Sequence, residues 1–169
     1  MKKINTIDIT RTAMVSAVAL VLSYIEMMLP DMPFVLPGMK LGLSNVATMF
    51  ALTALSFPSA LVVCLTKALF VLLMRGFTAF LMSLSGGILS LLVMYLLMRF
   101  KKLGFVSIGV GGAFFHNLGQ ILVAFVFTDS SVFAYFSVLG FSSIFTGMVT
   151  ALAVYILLPK VLALGIYRD

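Results

Sequence analysis

Apolar and polar positions alternate along this chain in blocks: long greasy runs are cut by short polar or helix-breaking segments. A polar, basic start gives way to an apolar stretch from Thr12 to Leu29, and the segment from Pro30 to Gly42 then holds three prolines and two glycines. The next breaks are Phe57-Pro58-Ser59, Arg75-Gly76, the basic cluster Arg99, Lys101 and Lys102, the polar turn Thr128-Asp129-Ser130-Ser131, and Pro159. The pattern predicts helices over about 12–29, 43–56, 59–74, 78–98, 107–127 and 132–158, most of them near the roughly 20 residues that span a hydrocarbon core. Pro58 suits the first turn of the third helix, and Pro159 ends or kinks the sixth. Strands of a membrane barrel would alternate apolar and polar residues, and runs such as Leu89 to Met98 do not. The expected fold is therefore an all-α polytopic membrane protein of six transmembrane helices, forming one domain over residues 1–169 with no soluble domain at either end.

Composition supports lipid as the main solvent. With 63% hydrophobic and 9% charged residues, the chain has too little polar surface to cover a water-soluble globule. The basic start could also open a signal peptide, but the following run is long, contains Glu26 and shows no small-residue cleavage pattern. The formal charge of +6 resides at the ends of apolar segments rather than along a stripe, which argues against nucleic acid. Weighted by the positive-inside rule, Lys2, Lys3, Arg11, Arg99, Lys101, Lys102, Lys160 and Arg168 fall on the cytoplasmic side with both termini. Glu26, Asp31, Lys40, Arg75 and Asp129 then gather at the outer face of the cell membrane. The single cysteine, Cys64, allows no internal disulfide and reads as packing.

A few polar residues lie inside these greasy runs. His116, Asn117 and Gln120 fall within about 100° of arc on the fifth helix, so one face presents all three, either to a ligand or as hydrogen-bonding glue between helices. Lys67 lies halfway along the third helix with no acidic residue within four positions. A cation at mid-bilayer costs at least about 2.5–3.5 kcal/mol, so it needs carbonyls, water or an anionic ligand. Arg75, about 12 Å nearer the outer surface, is either an interfacial anchor or a second ligand cation. Lys40 sits in the glycine-flanked loop Pro37 to Gly42, which can fold over an outer pocket, and Asn45 either caps the second helix or faces that pocket.

Small residues four apart recur at Ala13 and Ala17, Ala47 and Ala51, Ser83 and Gly87, Gly86 and Ser90, and Ser143 and Gly147. Such spacing lets helices approach closely. There is no Walker A loop, the five acidic residues are isolated from one another, and His116 has no acidic neighbour in sequence. No catalytic residue, metal site or cofactor is expected.

Three motifs together carry a resemblance: Pro37-Gly38-Met39-Lys40-Leu41-Gly42-Leu43-Ser44-Asn45, Ser83-Leu84-Ser85-Gly86-Gly87 and His116-Asn117-Leu118-Gly119-Gln120. The set resembles the Gx transporter family, also described as heptaprenyl diphosphate synthase component I. That family is similar to the substrate-binding S components of energy-coupling-factor transporters. The resemblance implies a six-helix S-component fold, an outward pocket and a capping loop between the first two helices. It also implies that Ala13 and Ala17 pack against a transmembrane coupling subunit, with ATP consumed by partner ATPases. Lys67 stands where arginine is usual in the family, keeping the charge but not the bidentate geometry.

The expected function is capture of a small anionic or amphiphilic solute such as a vitamin, flavin or quinone precursor, held by Lys40, Asn45, Lys67, Arg75, His116, Asn117 and Gln120. The alternative is a non-catalytic membrane accessory of isoprenoid or quinone biosynthesis, since a prenyl diphosphate synthase needs metal-binding carboxylates that this chain lacks.

Overall fold

A computed structural model describes residues 6–28, 42–100, 102–127 and 136–163. They form six helices, α1 (Thr6–Met28), α2 (Asn45–Ala54), α3 (Phe57–Arg75), α4 (Phe77–Met98), α5 (Phe105–Phe127) and α6 (Phe136–Ala163). All but α2 are long and apolar enough to cross a membrane, and the chain is a multi-pass membrane protein. At ten residues, α2 rises only about 15 Å, half of a hydrocarbon core.

The helix ends differ from the hydropathy pattern for local reasons. Helix α1 begins six residues earlier than the apolar run. Its first turn is polar but helical, with Asp8 near the positive end of the dipole, an Arg11–Asp8 pair at 3.8 Å and Thr12 donating to the Asp8 carbonyl at 2.7 Å. Ser56 caps α3 by accepting from the Ser59 amide at 3.3 Å, so that helix starts at Phe57 with Pro58 in its first turn. Gly76 joins α3 to α4 at φ +84°, a conformation that favours glycine. Pro159 does not end α6, which continues to Ala163.

Two bonds fix the relation of α1 to α3. Near their starts the Thr12 and Ser59 hydroxyls are hydrogen-bonded at 3.0 Å, and at their ends Arg75 donates to the Met27 carbonyl at 3.2 Å. The two helices therefore run parallel, side by side. Helix α2 makes only part of the return between them: it ends two residues before α3 begins and starts beside Lys67, midway along α3. The turn Gly42 to Ser44 thus lies inside the bundle, at the depth of the α3 midpoint.

Helices α4, α5 and α6 complete an up-and-down arrangement. Val15 and Ala19 of α1 share one apolar cluster with Val63, Leu91, Met94, Ile108 and Val154, which puts the start of α1 and the end of α6 at the same end. Arg11, Arg99, Lys102 and Lys160 lie toward that end, and Arg75 toward the other. A second cluster of Met82, Ile121, Ala124 and Leu139 fills the opposite end between α4, α5 and α6.

Burial is inverted relative to a water-soluble protein. Leu73 is 83% exposed and Phe141 78%, while Ser23 and Ser143 are fully buried. Lipid removes the cost of the first and makes internal hydrogen bonding of the second worthwhile. Where helices meet most closely the contact is glycine on glycine. A β-carbon on Gly119 of α5 would lie 2.7 Å from the Gly86 α-carbon of α4, and one on Gly147 of α6 would lie 2.7 Å from the Val110 nitrogen of α5. The small-residue sets on α2, α4 and α6 are all buried in this way. The Ala13 and Ala17 pair instead faces outward, beside exposed Met14, Val18 and Val21.

Candidate functional site

The half-length helix creates a problem of backbone chemistry whose solution builds the site. A helix start inside a membrane protein leaves N–H groups that water cannot satisfy. Ser44 provides no side-chain cap to its own helix. Glu26, in the last turn of α1 and 6% exposed, does the work instead. Its Oε1 accepts the Gly42 amide in a short hydrogen bond and the Leu43 amide at 3.2 Å, and its Oε2 accepts the Ser44 hydroxyl at 3.4 Å. A carboxylate at a helix N-terminus is favoured both by these donors and by the helix dipole.

Immediately after this turn, Asn45 receives Lys67. The ammonium donates to Asn45 Oδ1 at 3.1 Å, with Lys67 1% and Asn45 2% exposed. Lysine can only donate, so the bond fixes the amide orientation and leaves Asn45 Nδ2 as a buried donor with no partner among the described residues. No direct ion pair joins Glu26 to Lys67.

Gly42 is the hinge of the arrangement. Its φ of +84° favours glycine, and a β-carbon there would lie 2.9 Å from Asn45 Nδ2 and 3.1 Å from His116 Cδ2. The His116 ring is wedged between this turn and α4, where a β-carbon on Gly86 would approach its Nδ1 to 3.0 Å. Elements from α1, the Gly42 turn, α2, α3, α4 and α5 thus converge on Glu26, Asn45, Lys67 and His116.

The structure divides the sequence-expected residues. Asn45, Lys67 and His116 come together at mid-bundle. His116, Asn117 and Gln120 are all buried, but Asn117 turns toward α6, donating to the Leu139 carbonyl at 3.2 Å and to Ser143 Oγ at 2.9 Å. The crevice beside it, lined by Phe114, Leu118, Ile121 and Phe136, is too narrow to admit water. Arg75 is half-buried and holds the Met27 carbonyl, giving α1 the cation at its C-terminus that its own last turn lacks. Lys40 lies outside the described residues.

Glu26 and Gly42 are the site residues that sequence reasoning passed over. Glu26 was legible as a carboxylate within an apolar run, which in a membrane segment signals a buried role. Among the described residues no three His, Cys, Asp or Glu side chains converge on a metal position.

An all-helical, multi-pass bundle with a charged centre enclosed at mid-depth defines the class: an integral membrane protein with a buried polar site. Within that class the chain belongs to the heptaprenyl diphosphate synthase component I family, whose profile matches residues 15–166 and so spans all three motifs that carry the resemblance. No curated protein and no solved structure matches the chain.

Proposed function

We propose that this chain is a membrane-embedded capture subunit, S-component-like, for uptake of a small anionic or amphiphilic solute such as a vitamin, flavin or quinone precursor. One observation carries the reading: Lys67 is a fully buried ammonium whose hydrogen-bond partner among the described residues is a neutral amide. An ammonium has three donors, and a cation kept in a membrane interior without a contacting counter-ion is poised for an anion. Asn45 and His116 flank it, and Gln120 extends the same polar face of α5. Lys40 and Arg75 are assigned to neutralising the solute together with Lys67, and Asn117 to orienting it by hydrogen bonds together with Gln120.

In this reading the chain sits in the cell membrane with both ends cytoplasmic. The concentration of described basic residues at one end of the bundle supports that orientation. The chain performs no catalysis and needs no cofactor. A transmembrane coupling subunit docks on the outward Ala13 and Ala17 face, and ATPases on further chains supply the energy.

The family's description favours a second reading, a non-catalytic accessory that joins a synthase partner in isoprenoid or quinone biosynthesis. One experiment separates the two. Purified protein in lipid nanodiscs is extracted for bound solutes by mass spectrometry, and candidates are returned in a thermal-shift titration. Capture requires a water-soluble solute that stabilises the wild type and not Lys67→Met. Absence of any such solute, with co-purification of a soluble synthase component, would establish the accessory reading instead.

A further inference from the structure

We propose that the N-terminus of α2 is a carboxylate-binding site, which Glu26 fills as an internal stand-in until a carboxylate-bearing ligand displaces it. The inference rests on the capture reading above and names the chemical group that the captured solute presents.

The receiving groups are already arranged around a carboxylate. Two backbone amides, Gly42 and Leu43, converge on Glu26 Oε1, and the Ser44 hydroxyl reaches Oε2, so the site accommodates a planar group with two oxygens. The positive end of α2 reinforces the choice of an anion, and it does so at mid-bundle, where water does not compete. A cap alone would account for these bonds, but it does not account for the donors left over.

Those donors are independent of Glu26. Asn45 Nδ2, on a residue 2% exposed, lies against Gly42 and has no partner among the described residues. Lys67 has spent one donor, on Asn45 Oδ1. A buried donor left unmade is costly, so this excess is a cost the free protein carries until an acceptor arrives. A second carboxylate beside Glu26 would repel it, whereas one that takes its place keeps the amides satisfied and gains Lys67 and Asn45. Glu26 belongs to α1 and the turn to α2, so the exchange also uncouples those helices at this point.

Glu26 is the only glutamate in the chain, which gives the test a single reporter. Full-length protein labelled with ¹³C at the glutamate carboxyl is placed in nanodiscs and titrated with propionate, the side chain of glutamate as a free acid. Inorganic phosphate is titrated in parallel, and binding is read independently by thermal shift. The expected result is a saturable shift of the Glu26 resonance with propionate, and propionate binding to Glu26→Gln that is tighter by about tenfold, the equivalent of about 1.4 kcal/mol. The glutamine keeps an acceptor for the turn while removing the competing charge. Propionate binding that leaves the resonance unmoved overturns the proposal. So does binding of phosphate alone, weaker binding by Glu26→Gln, or no propionate binding to either protein. If a co-purified solute is lost in Lys67→Met yet leaves the Glu26 signal unchanged in the wild type, the capture reading survives and this one fails.

Discussion

Lys67 donates to Asn45 Oδ1 at 3.1 Å, which ties the midpoint of α3 to the first residue of α2 inside the bundle. The bond makes the charge and the amide mutually dependent. Removing the amide strands a buried ammonium, whereas removing both groups leaves an apolar contact. Asn45→Leu should therefore destabilise the protein by about 1.5–3 kcal/mol, the contribution of a buried hydrogen bond to a charged group. Lys67→Met in the same background should recover most of that loss. A double-mutant cycle in detergent, read by thermal unfolding, checks it, and additive effects would show that the two side chains are not coupled.

Lys67→Met alone separates stability from binding. Methionine keeps the length and flexibility of the side chain while deleting the charge, so the fold should hold or become more stable. Affinity for an anionic solute should fall by at least about tenfold, since a buried charge-assisted hydrogen bond contributes about 1.5–3 kcal/mol. Isothermal titration with the co-purified solute gives the answer.

Glu26→Leu should leave the Gly42 and Leu43 amides without an acceptor. An unsatisfied buried backbone group costs about 1–3 kcal/mol, so unfolding should occur at lower temperature than in the wild type and than in Glu26→Gln. The ordering of the three melting temperatures is the measurement.

The glycine contacts predict two opposite outcomes. Gly119→Ala would push a β-carbon to 2.7 Å from the Gly86 backbone, forcing α4 and α5 apart and costing about 1–3 kcal/mol. A β-carbon at Gly140 of α6 meets nothing within 4 Å, so Gly140→Ala should be neutral or slightly stabilising. Thermal shifts of the two variants in the same detergent decide between them.

Ala13→Leu with Ala17→Leu should leave the melting temperature unchanged, because both positions face outward. Co-purification with a coupling subunit should be lost. An intact complex would remove helix α1 as the docking face.

Hydropathy alone determined most of the architecture. The six helices and the proline-bearing start of α3 follow from runs of Leu, Val, Ile and Phe that can satisfy their backbone in lipid only as helices. That Lys67 and His116 must be buried away from lipid was equally legible, since a charge or imidazole inside such a run is costly to leave there. Polar first turns were not: Thr6 to Arg11 is helical with Asp8 at the positive end of the dipole and an i,i+3 Arg11–Asp8 pair, and neither enters a hydropathy pattern. What only the tertiary structure decided is who meets whom. The pattern suggested a second full span, but α2 covers half the depth, so its start lies beside Lys67 and needs Glu26 from another helix. Asn117 shares an arc with His116 yet bonds α6, because neighbours on one helix face diverge when two different helices pack against it. A sequence specifies which side chains must leave lipid; packing specifies which partner each one finds.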